Sequence, residues 1–436
     1  MSESKSHELW QACFDGDHAL VEVLLLGNDS AVEVNWIGPE KGDTPLHRAC
    51  RFGHLQVVEI LLKNSSVDVN AGNAGNASSP FYIACQEGHK DMVSLLLGDM
   101  RIDLNKPNVN CCTPFYIACQ NGHREVVLLL LADTRIDVNT RHTKGLTPCF
   151  IACQNGHKAV VSLLLADMRI DANKPQNEWV TPFFIASENG HMEVVSLLLG
   201  DMRIEVNQQR NDGATPFYIV CQEGHKDMVS LLLADIRINI NIAENDQCTP
   251  LWMASQNGHL LVVQLILASG REIDTLTKSI PGTATWKNKT AAEVARHQGR
   301  RIKGGDEPEE VHTRKKQNGP LIAAWIDSFN RDPRTTCQQL RELPELRDSF
   351  ISDLFALVIF LSDGLLTVVG AESSSLSSPT LNEAARFFRI AQRLPIELQM
   401  VLCNHVFGAS NDNVLTKHSE PAFKKLGKLL ARTDSF

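Results

Sequence analysis

Histidine and cysteine recur in this chain at a fixed step, and they are residue types that hold metals and carry nucleophilic chemistry. The dipeptide Gly-His stands at His89, His123, His157, His191, His225 and His259, each 34 residues after the last. Cys85, Cys119, Cys153 and Cys221 keep one place relative to it, with Cys50 in an earlier copy. Taken alone, Cys119 and His123 suggest a thiol beside a base, and the histidine column suggests zinc. The spacing argues against both. Two ligands of one zinc ion lie within ~4 Å of each other. Equivalent places in stacked helical units lie about 10 Å apart. A nucleophile would not be copied from unit to unit. A disulfide needs Cα atoms within ~7 Å. The cysteine column is therefore expected to be small buried apolar side chains in a reducing compartment. Cys111-Cys112 is an isolated pair with no second pair at metal spacing. No phosphate loop, Gly-x-Ser-x-Gly or His-Glu-x-x-His stands in the chain. No metal, no cofactor and no enzymatic activity are expected.

The elements that must carry these columns follow from one copy. Pro80, Pro114, Pro148, Pro182, Pro216 and Pro250 mark the same 34-residue step, and Pro45 marks an earlier copy. A worn copy with Trp10, Cys13 and Gly16-Asp17-His18 precedes it. In the copy from Cys112 to Asn139, Thr113 is suited to cap a helix and Pro114 to its first position. Gly122 suits the helix end. A second helix is predicted from about His123 to Ala132. Val126, Val127, Leu129, Leu130 and Leu131 make it apolar on nearly every side, so burial between neighbours is expected. Ile136 to Asn139 is β-like and leads to a polar tip. No single copy can bury this much apolar surface, which explains why the copies come in series.

The pattern Thr-Pro-x-x-x-Ala-x-x-x-Gly-His-x-x-Val-Val-x-Leu-Leu-Leu…Asp-Val-Asn resembles the ankyrin repeat over about residues 7–300. A fading copy at Lys289 to Ala295 resembles a C-terminal capping repeat. The resemblance implies an all-α solenoid of paired helices with hairpin tips, and a protein partner held by the tips and the concave face. It also implies that the Gly-His histidine braces the turn between helices.

Two departures stand out. The unit is 34 residues rather than 33, because segments such as Thr134-Arg135-Ile136 replace a shorter Gly-Ala. The histidine expected after Thr-Pro-Leu survives only as His47; elsewhere stand Tyr82, Tyr116, Phe150, Phe184, Tyr218 and Trp252. That aromatic column reads either as a packing ladder or as a stripe for a partner peptide. Asp-x-Arg recurs from Asp99/Arg101 to Asp235/Arg237, either as a solvated charge ladder or as pairing across repeats. Asn70, Asn105, Asn139, Asn173, Asn207 and Asn241 are expected to shape turns.

Candidate partner-binding residues fall in two groups. Gln120-Asn121, Gln154-Asn155 and Glu188-Asn189 form a uniform polar column that the resemblance assigns to the concave face, broken by Arg51-Phe52. The tips vary most, at Trp36, Arg141, His142 and Trp179. Uniform framework with varied tips is the pattern of a binding scaffold. Each tryptophan reads as a contact or as local packing.

Composition agrees with a soluble chain: of 436 residues, 43% are hydrophobic and 21% charged. A net charge of -9 disfavours nucleic acid as a partner. No signal peptide is visible and the apolar run 354–369 is shorter than a span needs, so no membrane insertion is expected. The location expected is the cytoplasm, or the nucleus. The array is assigned to 1–300, with eight to nine copies, a polar linker to 301–319 and a helical region to 320–436. There Leu394, Pro395, Glu397, Leu398 and Leu402 resemble the opening of an F-box, which would make the chain a ubiquitin-ligase substrate adaptor. A plain helix beginning at a proline explains the same residues. A near-neutral repeat expansion without a specific ligand is a third reading.

Overall fold

Thr113 Oγ1 accepts a hydrogen bond from the Tyr116 amide at 3.2 Å, and Pro114 follows where no amide hydrogen is needed. The same cap recurs at Thr44, Ser79, Thr147, Thr181 and Thr249. The computed structural model describes residues 2–26, 32–39, 41–280, 288–300 and 307–346. They form an all-α stack of paired helices, with no strand among the described residues. The chain divides into two units, 1–216 and 217–436.

The first unit carries six pairs: α1 (Ser2–Asp15) with α2 (His18–Leu26), α3 (Pro45–Phe52) with α4 (Leu55–Lys63), α5 (Pro80–Glu87) with α6 (Lys90–Leu97), α7 (Pro114–Asn121) with α8 (Arg124–Ala132), α9 (Pro148–Gln154) with α10 (Lys158–Ala166), and α11 (Pro182–Glu188) with α12 (Met192–Gly200). First helices pack on first helices and second on second. Phe115, Ala118 and Cys119 of α7 are buried, as are Val126, Val127 and Leu130 of α8. Leu128 is exposed, so the leucine-rich helix is covered on one side and not all round. The segment expected as β-like, 136–139, is a series of turns.

Gly122 shows why the Gly-His pair repeats. Its φ is +75°, and a Cβ there would stand 2.7 Å from His157 of the next repeat. Glycine is needed both for the left-handed turn and for the approach of that ring.

The second unit holds α13 (Pro216–Glu223), α14 (Lys226–Leu233), α15 (Pro250–Asn257), α16 (Leu260–Ala268), α17 (Ala291–Arg300), α18 (Glu309–Arg331) and α19 (Pro333–Arg341). The polar run expected as a linker is helical from Glu309 onward, and Pro320, expected to open a helix, lies inside α18. The reason is chemical. Arg314 Nε donates to the Asn257 carbonyl at 3.1 Å and Asn318 Nδ2 to the Gly258 carbonyl at 2.8 Å. These polar side chains close the carbonyls at the end of α15, which has no further full repeat to do so. Gly319 permits the crossing, since a Cβ there would lie 2.3 Å from the Ala295 carbonyl oxygen of α17. Leu394, Pro395, Glu397, Leu398, Leu402 and the apolar run 354–369 lie outside the described residues. Among the described residues, no helix is long and apolar enough to cross a membrane.

Candidate protein-binding surface

Three ladders of side chains join each repeat to the next, and together they decide which polar groups remain for a partner. The first is built from the Gly-His histidines and the asparagine two residues before them. Asn155 Nδ2 and His157 Nε2 both donate to the Gln120 carbonyl at 2.8 Å. Asn121 and His123 do the same to Gln86, and Asn189 and His191 to Gln154. Each histidine thus braces the neighbouring turn, and no cluster of metal-ligating side chains occurs among the described residues. The candidate residues Asn121, Asn155 and Asn189 are exposed, but their amides are engaged in the framework. Gln120 and Gln154 are half-buried and lend their backbone carbonyls. Glu188 lies 3.6 Å from Arg210 Nη1.

The second ladder is made by the asparagines expected to shape turns. Asn139 Nδ2 donates to the Arg169 carbonyl at 2.6 Å, and its Oδ1 accepts from the Asp171 amide at 3.1 Å. Asn35, Asn70, Asn105 and Asn173 make the same pair of bonds one repeat onward. Their role reaches past the turn to the joint between repeats.

The third ladder settles the Asp-x-Arg pattern. Arg135 pairs with Asp133 at 2.5 Å within its own repeat, and its Nη2 also donates to the Leu97 carbonyl at 2.9 Å, in the last turn of α6. Arg101, Arg169 and Arg203 repeat this on Leu62, Leu131 and Leu165. The ion pair stays inside one repeat, while the arginine caps the helix C-terminus of the repeat before it. The arginine hydrogen bonds hold the Asp99, Asp133 and Asp167 carboxyls below the usual carboxylate range.

The aromatic column is buried. Tyr82, Tyr116, Phe150, Phe184, Tyr218 and Trp252 are all at most 4% exposed. This excludes the stripe and leaves the packing ladder. Tip residues lie over these rings: His142 stacks on Tyr116 with ring centroids 5.7 Å apart, and the Arg210 guanidinium sits 5.2 Å above Phe184. His47, the one histidine in the column, donates from Nε2 to the Ser78 carbonyl at 2.8 Å, and burial pushes its pKa down.

The tip candidates differ in what they have left to offer. Trp36 is half-buried and packs edge-on against Trp10 at 6.3 Å and His7 at 5.6 Å. Arg51 is held on buried Asp43 at 2.9 Å, and Phe52 packs edge-on against Phe14 at 4.7 Å. Arg141 is exposed and reaches the Pro175 carbonyl at 3.1 Å.

Trp179 is the exception. It is 56% exposed and its φ is +65°. The tip turns share one geometry. Gln176 N–H donates to the Val180 carbonyl, as His142 does to Leu146 and Arg210 to Ala214. The residue before the last of the turn has positive φ, at Ala77, Cys111, Gly145, Trp179, Gly213 and Gln247. The tips at Gly145 and Gly213 meet the left-handed requirement with glycine, those at Ala77, Cys111 and Gln247 do not, and this one carries an exposed indole. Trp36 and Trp179 read alike in the sequence. The 34-residue step aligns Trp179 with Ala77, Cys111, Gly145, Gly213 and Gln247, a column with no other aromatic side chain.

A family model described as ankyrin repeats (3 copies) matches residues 9–108, 66–142, 115–210 and 183–277. A comparison with curated proteins finds no match.

Proposed function

Since the chain belongs to the ankyrin-repeat family, whose arrays are generally protein-interaction modules, we propose that it is a non-enzymatic scaffold gripping a protein partner at its tips. The observation that carries this reading is Trp179. A non-glycine residue in the left-handed region costs roughly 1–2 kcal/mol. Strain of this kind, kept under a large side chain that lies open to solvent, points to use. An exposed indole is also the side chain most often found at the energetic centre of an interface. Arg141 and His142 on the preceding tip and Arg210 on the following one supply polar groups around it.

The concave column is a poorer candidate for specificity, because its asparagines are bound to the neighbouring repeat and its sequence barely changes. The buried thiol column supports a reducing compartment, for which we propose the cytoplasm.

The test compares the full chain with Trp179→Gly in quantitative affinity purification. The variant is expected to keep its fold, since Gly145 and Gly213 hold the same turn. It should lose its specific partners by tenfold or more, on the order expected for a central interface residue. Equal recovery of the same partners by both proteins would falsify the tip reading.

A further inference from the structure

Asn-Gly occurs five times in the chain, at Asn121, Asn155, Asn189, Asn257 and Asn318. In this dipeptide an asparagine is open to attack by its own backbone, because glycine puts no side chain beside the next amide nitrogen. All five side-chain amides are engaged. Asn121, Asn155 and Asn189 donate from Nδ2 to the carbonyls of Gln86, Gln120 and Gln154 at 2.8, 2.8 and 3.0 Å, each in the repeat before. Asn257 donates to the Gln222 carbonyl at 3.0 Å and Asn318 to the Gly258 carbonyl at 2.8 Å. The attacking nitrogens are engaged as well. The amides of Gly122, Gly156, Gly190 and Gly258 donate to carbonyls of the preceding helix turn at 3.2 to 3.3 Å. Asn155 and Asn189 have ψ of 0° and -1°. The planar peptide leaves ψ as the one backbone rotation that can carry the glycine nitrogen onto Cγ, and at these helical values it is turned away. Asn121, Asn155 and Asn189 are exposed, so shielding from water is not what protects them.

We propose that these five asparagines are sites of spontaneous deamidation, held back by the joints that their own amides make. When a joint opens, ψ turns and the glycine nitrogen attacks Cγ. The N–Cγ bond forms, the Cγ–Nδ2 bond breaks, and the glycine amide proton leaves with Nδ2 as ammonia. A five-membered imide remains. Water adds to one of its two carbonyls and opens it, to aspartate or to isoaspartate. Local openings of this kind are a general property of folded chains. The product does not restore the joint. A carboxylate only accepts hydrogen bonds, so at position 155 it would face the Gln120 carbonyl with no donor to give. Isoaspartate also routes the main chain through Cβ, at the turn that must place His157. Glu87 shows what a converted joint has left, because a carboxylate stands at the same place in its copy. It lies 3.6 Å from Arg51 Nη1, and His89 on the Arg51 carbonyl keeps the joint. Each conversion at Asn121, Asn155 or Asn189 therefore removes one of two donors from a joint and adds a negative charge to the exposed polar column.

The experiment is peptide mass spectrometry of the full chain held at mildly alkaline pH in heavy-oxygen water, native and in urea. The heavy oxygen marks every asparagine that has passed through the imide. Conversion is expected at all five pairs, roughly tenfold or more slower in the native protein than in urea. His157→Ala removes the second donor on the Gln120 carbonyl and leaves Asn155-Gly156 itself untouched. It should speed conversion of Asn155 by roughly three- to tenfold and leave Asn318, in the second unit, as it was. Should that variant fail to fold, the comparison of native and unfolded wild type decides. Equal rates in native and unfolded protein, or unchanged conversion of Asn155 in a folded His157→Ala protein, overturns the proposal.

Discussion

Trp179 and Asn139 show two ways in which one residue departs from its surroundings. Trp179 keeps a left-handed backbone angle that the tips on either side, at Gly145 and Gly213, assign to glycine and those at Ala77, Cys111 and Gln247 do not. Trp179→Gly is therefore expected to hold or raise stability, by up to about 1 kcal/mol, because relief of strain is set against the entropy glycine adds to the unfolded chain. A clear fall in the urea midpoint would show instead that the indole supports the fold. Asn139 is half-buried and bound at both amide atoms to the next repeat. Asn139→Ala should cost about 1–2 kcal/mol, read from the same midpoint. His259 adds a pH dependence. Burial, and then the nearby Arg314 charge, push its pKa down to about 4, with Gln222 and Glu223 opposing and Lys315 adding to the fall. A histidine whose folded pKa is depressed gives stability that is full above its unfolded value of about 6.5. That contribution is lost as pH falls toward 4. Urea midpoints of the wild type should drop across this window, and His259→Gln should flatten the slope.

At the scale of the helix pair, the sequence states much and conceals one thing. Thr113-Pro114 and Gly122 mark the first helix because a cap, a residue without an amide hydrogen and a left-handed exit each demand a particular side chain. The joints between pairs are not legible in the same way. Asn121, Asn155 and Asn189 look like a surface for a partner, since nothing in a single copy shows that a carbonyl 35 residues earlier will take their amides. The aromatic column left two readings open for the same reason: a ring at a fixed step fits a core and a surface alike. The polar stretch before Pro320 looked like a linker because the carbonyls it caps lie far away in sequence, on α15. Gly122→Ala tests the joint at this scale. It forces a left-handed alanine against His157 and should lose about 1–3 kcal/mol by urea unfolding. The opposite signs expected for Gly122→Ala and Trp179→Gly follow from the same positive φ, since one change adds a Cβ there and the other removes one.

For the molecule as a whole, periodicity made the array and its paired helices readable from the first pass. The exposure of Trp179 is not legible in the same way, since Trp36 at another tip is half-buried against Trp10. Thiol chemistry checks the same organisation. Burial raises Cys85, Cys119 and Cys221 well above the usual thiol range, the Cys149 hydrogen bond and then burial do the same to Cys153, and Cys111 is exposed at a tip. Brief alkylation of the native protein, read by mass spectrometry over residues 1–346, should mark Cys111 first and the column only after denaturation. Early labelling of the column would mean that the repeats open locally. The ladders have one more consequence. In the first unit, the side chains of the three ladders reach only the adjoining repeat, and they reach its backbone. A gene segment encoding one 34-residue copy can therefore be duplicated or deleted without remaking any joint. Lineages carrying such a gene should differ in the number of copies more readily than in the residues that fasten them together.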